Sequence, residues 1–426
     1  MTTPTVTYAN DLDFARHMDE IDPLRALREE FLFPNRAGDS IVYLAGNSLG
    51  LQPRSATGYV LEELGEWARL GVDGHFQARH PWLLYHEFLT EMTARLVGAN
   101  PSEVISMNSL TVNLHLMLVS FYKPTKERFK ILIESDAFPS DRYAVASQAK
   151  FHGYDPKEAI LELAPRQGEL TLRQEDIEDF IQKHGNEIAV VLIGQVNYLT
   201  GQAFDLLRLA ELSHEHGCIF GTNLAHGAGN LRLNLHGDDV DFAVWCGYKY
   251  LNAGPGAVAG CFVHDRYEES FDLPRFAGWW GHNKETRFEM GPEFDPLPGA
   301  EGWQISNPPI FQMAALRASL ELFDKATMYA LRKKSVLLTG YLDFLLKPIS
   351  SDICTIITPS DPEQRGAQLS LKVPKQPQQF VRQLKDHGVI CDFREPDIVR
   401  VAPAPIYCSF EDVYKFGQVM TKFANK

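Results

Sequence analysis

The sequence predicts an α/β protein with a mainly parallel β-sheet and a smaller α+β domain at its C-terminal end. The main observation is that short apolar runs alternate with helical patterns between about residues 100 and 265, which is typical of β-α-β units. A second observation is the change, after about residue 310, to one long helical pattern followed by short alternating runs. A third is the length of 426 residues, because a chain this long usually folds around more than one hydrophobic core. Ligands of such sheets bind beyond the carboxyl ends of the strands.

The elements follow from the pattern in chain order. A leading helical pattern that ends near residue 31 precedes a strand at 41–45 and a turn of small and polar residues at 46–50. The strands predicted for the alternating region are residues 104–107, 129–133, 188–193, 218–220, 242–245 and 261–263. The predicted helices before and between them are residues 61–70, 111–122, 140–150, 174–184 and 206–216. For the C-terminal part we predict a helix at 311–346, strands at 353–357, 368–373, 389–393 and 398–401, a helix at 376–387 and a last helix from 410.

These patterns predict three segments. Residues 1–40 form an N-terminal helical segment that packs with the small domain, residues 41–310 form the large domain, and residues 311–426 form the small domain.

Composition narrows the classes of partner and compartment. A net charge of −14 argues against nucleic acid or an anionic membrane surface, because both attract a basic face. No apolar run approaches the roughly 20 residues of a membrane span. The six cysteines include no C-x-x-C pair, which favours reduced thiols in a cytoplasmic protein and predicts neither a disulfide framework nor a metal site. Small molecules are the expected partners.

One lysine needs a chemical explanation. Lys249 follows the apolar run at 242–245 and stands between Tyr248 and Tyr250, just before a Gly-Pro-Gly turn. The ordinary explanation is that its stem packs on apolar surface while its ammonium group reaches water. The alternative is a Schiff base, which requires an amine desolvated in a pocket beside acidic and phenolic groups.

Polar groups at the other strand ends favour the second explanation. Leu110 and Thr111 begin a helix, where backbone N–H groups and a hydroxyl can bind phosphate, although an ordinary N-cap has the same pattern. The segment 136–141 supplies the aromatic face of Phe138 with Ser140 and Asp141, of which the last two are equally suited to capping a helix. Asn223 and His226 follow a buried strand, where a histidine is most often a core residue.

Together these groups match the needs of pyridoxal 5′-phosphate (PLP), whose ring must be stacked, protonated at its nitrogen and linked to a lysine. The Gly-Pro-Gly turn itself matches neither a Walker A loop nor a dinucleotide fingerprint, because no Gly-Lys-Ser/Thr follows and no helix begins there.

Longer motifs resemble the kynureninase family of fold-type-I PLP enzymes along almost the whole chain. The motifs are YLAGNSLGLQP (43–53), MNSLTVNLH (107–115), AFPSD (137–141), NLAHGAGN (223–230), WCGYKYLNAG (245–254), GWWGH (278–282), ISNPPI (305–310) and RVAPAP (400–405). The resemblance implies a seven-stranded, mainly parallel sheet in a large PLP-binding domain, and a homodimer with active sites at its interface.

The resemblance also implies residue roles. Lys249 carries the cofactor and moves the substrate α-proton, and Tyr248 binds phosphate and donates or accepts a proton. The other implied cofactor contacts are Leu110, Thr111, Phe138, Ser140, Asp141, Asn223, His226, Trp280 and Asn307, the last two reaching across the dimer interface. Arg400 matches the arginine that grips the substrate carboxylate. Ser48, His75 and Asn307 match the surroundings of the substrate's aromatic ring, and the last two resemble kynureninases that favour 3-hydroxykynurenine.

The implied reaction is the hydrolysis of L-kynurenine or 3-hydroxy-L-kynurenine to L-alanine and anthranilate or 3-hydroxyanthranilate, in tryptophan catabolism and NAD biosynthesis. One position departs from the family pattern, which has an aspartate facing the pyridine nitrogen where this chain has Asn223, preceded by Thr222 instead of a bulky aromatic residue. An amide cannot hold the ring nitrogen protonated by charge. Either Asp141 supplies part of that charge, or the chain binds the cofactor and turns over slowly. A desulfurase or an aminotransferase of the same fold is the remaining alternative.

Overall fold

The computed structural model describes residues 6–34 and 41–424, and it contains the predicted kinds of element. The strands are β1 (Phe31–Leu32), β2 (Val42–Tyr43), β3 (Gln52–Pro53), β4 (Val104–Met107), β5 (Lys130–Glu134), β6 (Ile160–Leu163), β7 (Ile188–Gly194), β8 (Ile219–Asn223), β9 (Phe242–Trp245), β10 (Ala259–Val263), β11 (Thr355–Ile356), β12 (Leu369–Lys372), β13 (Val389–Ile390), β14 (Asp392–Arg394) and β15 (Ile398–Val401). The helices are α1 (Leu12–Glu20), α2 (Ala56–Leu70), α3 (Gly74–Gln77), α4 (Glu87–Val97), α5 (Leu110–Phe121), α6 (Pro139–Phe151), α7 (Pro156–Ala159), α8 (Gln174–His184), α9 (Leu206–Glu215), α10 (Ile310–Ala326), α11 (Met328–Leu346), α12 (Pro377–Asp386) and α13 (Phe410–Ala424).

The central sheet has seven strands among the described residues, in the order β4-β10-β9-β8-β7-β5-β6. Strand β10 is antiparallel to both of its neighbours, and the other pairs are parallel. The first six residues of β7 are all buried, as expected for a parallel strand covered on both faces. The prediction of a mainly parallel, seven-stranded sheet is confirmed.

Several elements differ from the prediction. The strand predicted at 389–393 is two strands, β13 and β14, which belong to different sheets, and helix α4 and the short strands β1 and β3 were not predicted. Strand β6 was missed because it is a partly exposed edge strand whose apolar pattern is interrupted by Glu162. The single helix predicted at 311–346 is wrong, since α10 and α11 are separated at Thr327, which has a φ of +63°. Its hydroxyl accepts a hydrogen bond from the N–H of Ala330, so the residue caps α11. The apolar periodicity on both sides conceals this break.

A four-stranded antiparallel sheet, in the order β11-β12-β15-β14, lies in the C-terminal part of the chain. Strand β2 pairs in parallel with β13, so the segment after residue 40 joins this part of the molecule. The carboxylate of Asp19 in α1 accepts hydrogen bonds from the backbone N–H groups of Phe410 and Glu411 at the start of α13. The division at residues 40 and 310 stays a prediction, and residues 1–5 and 35–40 lie outside the described part of the chain.

Across residues 6–34 and 41–424, no helix combines the length and the apolar character needed to cross a bilayer.

Candidate active site

A cavity of about 210 Å³ lies beyond the carboxyl ends of β5, β7, β8 and β9. This is the edge at which a parallel sheet of this kind binds its ligands. The predicted site residues that line it are Leu110, Thr111, Phe138, Ser140, Asp141, Asn223, His226, Tyr248 and Lys249. The structure therefore brings together residues from four separate segments of the chain.

The amine of Lys249 faces this cavity and does not lie on a solvated surface. Its Nζ is 3.0 Å from Nε2 of His226 and 5.8 Å from the ring centre of Phe138. Burial lowers the pKa of the Lys249 ammonium group, and the positive charge of Arg400 acts in the same direction. A lysine whose pKa is lowered by desolvation is a better nucleophile at neutral pH. The contacts thus fit a Schiff-base role for this lysine better than the ordinary explanation, in which its ammonium group reaches water.

His226 is the neutral partner of that amine. Burial, followed by the positive charge of Lys249, holds the pKa of His226 well below its ordinary value. An uncharged imidazole can accept a hydrogen bond from the lysine at Nε2. Its other nitrogen, Nδ1, is buried and has no hydrogen-bond partner among the described residues.

One end of the cavity suits a phosphate group. Helix α5 begins at Leu110 and α6 begins at Pro139, and the hydroxyls of Thr111 and Ser140 in their first turns are 2.8 Å apart. The first N–H groups of a helix lack partners within the helix and carry the positive end of its dipole. Two helix N-termini and two hydroxyls therefore converge where an anion would be stabilised.

The other end carries an acid and an amide in contact. Nδ2 of Asn223 donates a hydrogen bond to Oδ2 of Asp141 at 2.7 Å, and Oδ1 of Asn223 accepts one from the N–H of Ala225 at 2.8 Å. Burial raises the pKa of Asp141 to about 6, while the hydrogen bond from Asn223 and the charge of Lys249 oppose this shift. Oδ1 of Asp141 is buried without a partner in the described structure. A protonated pyridine nitrogen would supply the missing donor, so the residues present fit PLP.

Thr222, the other residue that departs from the family pattern, is also satisfied by a hydrogen bond. Thr222 is fully buried, and its hydroxyl donates to the carbonyl oxygen of Ile193 at 2.8 Å.

Arg400 is fully buried in β15 and is held beside the cavity. Its Nε donates to Oδ1 of Asp392, and its Nη1 donates to the carbonyl oxygen of Tyr198, both at 2.8 Å. Tyr198 itself lines the cavity. The guanidinium group is thereby oriented by two fixed acceptors.

The remaining predicted residues do not line this cavity within the described part of the chain. Ser48 lies in the turn after β2, and His75 in α3 packs edge-on against Trp82. Trp280 is buried with its indole N–H unpartnered among the described residues. Asn307 is exposed and lines a different cavity.

Sequence reasoning missed a buried carboxyl group in the site. Oε1 of Glu134, the last residue of β5, accepts from Nδ2 of Asn197 at 2.8 Å, and its Oε2 accepts from the N–H of Gly194 at 3.1 Å. Burial raises the pKa of Glu134 to about 7. An acid that ends an apolar strand at the ligand-binding edge was the available signal.

The thiols offer no support for the desulfurase alternative. Five of the six cysteines are buried, and Cys391 is partly buried. Burial raises the pKa of Cys246, the cysteine nearest in sequence to Lys249, so its thiol is not activated as a nucleophile.

A lysine amine desolvated beyond a mainly parallel sheet, between an anion cradle and a buried acid, defines a fold-type-I PLP-dependent enzyme. Solved structures of the same fold include the apo structure of a cysteine desulfurase from Thermococcus onnurineus NA1, with a TM-score of 0.77 and 16% identity over 94% of this chain and 98% of that one. Another is the cystine C-S lyase C-DES in complex with its product, with a TM-score of 0.75 and 17% identity over 91% and 98%. At these identities the likeness concerns the fold alone.

Sequence comparison is more specific. The family model "Kynureninase C-terminal domain" matches residues 331–420. The chain is 62% identical to a kynureninase of Myxococcus xanthus over the full length of both proteins. It is 58% identical to a kynureninase of Koribacter versatilis, over 95% of this chain and 96% of that protein. The chain belongs to the kynureninase family.

Proposed function

We propose that this chain hydrolyses L-kynurenine or 3-hydroxy-L-kynurenine to L-alanine and anthranilate or 3-hydroxyanthranilate, a step in tryptophan catabolism. The observation that carries the proposal is the contact of 3.0 Å between Nζ of Lys249 and Nε2 of His226, in a cavity with a phosphate cradle at one end and Asp141 at the other. Family membership indicates which substrate this cofactor site serves.

PLP is the cofactor of this site, and when bound it supplies an electron sink for charge that develops on the substrate. Thr111, Ser140 and the N–H groups at the start of α5 and α6 hold its phosphate. Phe138 offers a ring face, Asp141 offers a carboxylate to the pyridine nitrogen, and Lys249 forms the covalent link.

Three side chains act on the substrate. Arg400 binds the α-carboxylate with its buried guanidinium group. Lys249, with its lowered pKa, removes the α-proton as a general base, and neutral His226 orients its amine through Nε2. Hydrolysis adds the hydroxyl of water to the side-chain carbonyl carbon and hydrogen to Cβ as the Cβ–Cγ bond breaks. Tyr248, whose pKa is raised to about 12 by burial, keeps its proton at neutral pH and donates it to Cβ.

A homodimer completes the site. Exposed aromatic residues form two groups, together called the aromatic surface: Trp67 packs near Phe311, and Phe288 packs near both Phe76 and Trp279. Single exposed apolar side chains are common, but groups of exposed aromatic side chains in contact with one another favour a protein interface. The two residues expected to act across the interface are close to these aromatic residues in sequence, since Trp280 follows Trp279 and Asn307 lies four residues before Phe311. His75, expected near the substrate's aromatic ring, precedes Phe76.

The assembly can be tested by measuring mass in solution. We expect the dimer mass for the wild-type chain and a monomer with little activity for F288E. The control F151E changes a phenylalanine that is 74% exposed on α6, away from the aromatic surface, and should stay dimeric. A fully active monomer would contradict the dimer.

The cytoplasm is the compartment we propose. All six cysteines are unpaired in the described structure, as is usual where thiols are kept reduced.

The function is tested by incubating the PLP-loaded protein with kynurenine and measuring fluorescent anthranilate. We expect steady release over many turnovers, and none above background for K249A. Borohydride reduction followed by peptide mass analysis should place the cofactor on Lys249. The same assay with 3-hydroxykynurenine establishes the preferred substrate, for which the presence of both His75 and Asn307 favours the 3-hydroxy form.

The second candidate is a cofactor-binding protein with little turnover, which Asn223 specifically favours. In that case borohydride would still fix PLP on Lys249, but anthranilate release would stop at or below one equivalent per chain.

A further inference from the structure

A second group of side chains that can bind a metal lies at the end of the central sheet opposite the PLP cavity. Glu103 immediately precedes β4, His264 and Asp265 immediately follow β10, and His236 lies in the segment that leads to β9. Because β10 is antiparallel to β4 and β9, its carboxyl end lies beside their amino ends. Lys249 follows the carboxyl end of β9, so the group is separate from the cofactor site.

The donor atoms of these four residues have the spacing of a metal site. Oε1 of Glu103 is 2.9 Å from Nδ1 of His236 and 3.7 Å from Nδ1 of His264. The carboxylate of Asp265 is 2.9 Å from Nδ1 of His264 and 3.7 Å from Nδ1 of His236. A tetrahedral Zn²⁺ with nitrogen and oxygen ligands at about 2.0–2.1 Å places those ligands about 3.3 Å apart. The observed separations lie on both sides of that value.

The hydrogen bonds of His264 leave a lone pair facing a carboxylate. Nδ1 of His264 lies 3.2 Å from the backbone N–H of Arg266, from which it accepts a hydrogen bond in the tautomer that carries its proton on Nε2. The same Nδ1 lies 2.9 Å from Oδ1 of Asp265, which is also an acceptor. Two lone pairs at this distance repel each other unless a positive charge lies between them.

The ligands are also held in place by groups around them. Glu103 is fully buried, and its carboxylate accepts from the backbone N–H groups of Asn100 at 2.7 Å and Asp265 at 2.9 Å. Nε2 of His264 lies 3.4 Å from Oδ1 of Asp239. A carboxylate behind the second ring nitrogen is the usual arrangement for a histidine that binds a metal.

We propose that Glu103, His236, His264 and Asp265 bind a divalent transition-metal ion, for which Zn²⁺ best matches the two nitrogen and two oxygen donors. The ion ties the start of β4 to the end of β10 and stabilises that edge of the sheet. Cysteine spacing gave no sign of this site because none of its ligands is a cysteine.

The test uses tag-free, PLP-loaded protein that has been treated with chelator and dialysed into a buffer without phosphate. Titration calorimetry with Zn²⁺ should show one ion per chain, and the thermal midpoint should rise with Zn²⁺ concentration. H236Q removes the most exposed ligand and should weaken binding at least about tenfold, as should D265N. H184Q is the matched control, because His184 pairs at 2.8 Å with Glu187, which also pairs with Lys130, and it should bind Zn²⁺ like the wild type.

Two results would overturn the proposal. One is the absence of stoichiometric Zn²⁺ binding, and the other is binding by H236Q as tight as that of the wild type; either would mean that hydrogen bonds alone hold the cluster. Co²⁺ gives a second readout, since tetrahedral coordination produces visible absorption that H236Q should lose. Kynurenine turnover by H236Q should equal that of the wild type, so the outcome is independent of the proposed function.

Discussion

Nδ2 of Asn223 lies 2.7 Å from Oδ2 of Asp141 and donates a hydrogen bond to it. The amide that stands where the kynureninase pattern has an acid is therefore in direct contact with another acid. Because Oδ1 of Asn223 is taken by the N–H of Ala225, the amide presents its nitrogen, and only donors, to Asp141 and the cavity. An N–H group cannot favour a protonated pyridine nitrogen, whereas the unpartnered Oδ1 of Asp141 can. Asp141 is thus the residue left to supply the charge.

Restoring the acid at position 223 should increase activity. N223D adds a second carboxylate beside Asp141, and the extra negative charge should strengthen protonation of the cofactor ring by about one pKa unit or more. We expect kcat for kynurenine to rise about tenfold, with cofactor loading checked by absorbance. An unchanged kcat would mean that this position does not limit the rate.

Changing the substrate arginine should affect binding more than chemistry. R400K keeps the charge but loses the planar fork that now donates to Asp392 and Tyr198. We predict that KM rises about tenfold or more, equivalent to at least about 1.4 kcal/mol, while kcat falls by a smaller factor. A fall in kcat at constant KM would assign Arg400 to the chemical step instead.

The phosphate cradle can be tested separately from the chemistry. T111V removes a hydroxyl that lies 2.8 Å from Oγ of Ser140 while nearly conserving volume. We expect the Kd for PLP to rise about tenfold, with kcat at saturating PLP little changed. The control S147A removes another hydroxyl, on the same helix as Ser140, which donates to the carbonyl oxygen of Ala144. It should leave the Kd for PLP unchanged. An equal effect in both variants would contradict the role of the Thr111 hydroxyl in binding the phosphate.

Glu134 should make stability depend on pH in the cofactor-free protein. Its pKa is raised from an ordinary 4.5 to about 7, so between these values the folded chain holds a proton that the unfolded chain has lost. The free energy of unfolding therefore falls as the pH rises through this window, by up to about 3 kcal/mol.

E134Q has no such titration and provides the comparison. The Tm of E134Q minus that of the wild type should increase by about 3 °C between pH 5 and pH 8, at about 1 °C per kcal/mol for a chain of this size. A difference that stays constant with pH would show that Glu134 titrates normally.

The sequence was sufficient to predict six of the seven strands of the central sheet and most of the site residues at their carboxyl ends. Parallel strands buried on both faces read as continuous apolar runs, so β7 and β9 were evident, and their ends located Lys249. Apolar periodicity alone concealed the end of α10 at Thr327, because a cap is one residue among many that fit the helical pattern.

The contacts between side chains from different segments of the site were harder to predict from the sequence. Residues 141 and 223 are 82 positions apart, and only the fold places their side chains in contact. Glu134 was missed because the signal for it was a single acid at the end of an apolar strand, without a longer motif around it. Trp280 and Asn307 came from family motifs that imply a role across a dimer interface, and neither lines the cavity among the described residues.

The central claim is that Asp141 supplies the charge that Asn223 cannot, and a double-mutant cycle on kynurenine turnover tests it most directly. The cycle compares kcat for the wild type, D141N, N223D and the double variant, with D136N as control because Asp136 also lines the cavity but is exposed. We predict that D141N lowers kcat at least about 100-fold in the wild-type background and much less when residue 223 is aspartate, while D136N changes little. A wild-type rate in D141N would contradict the account.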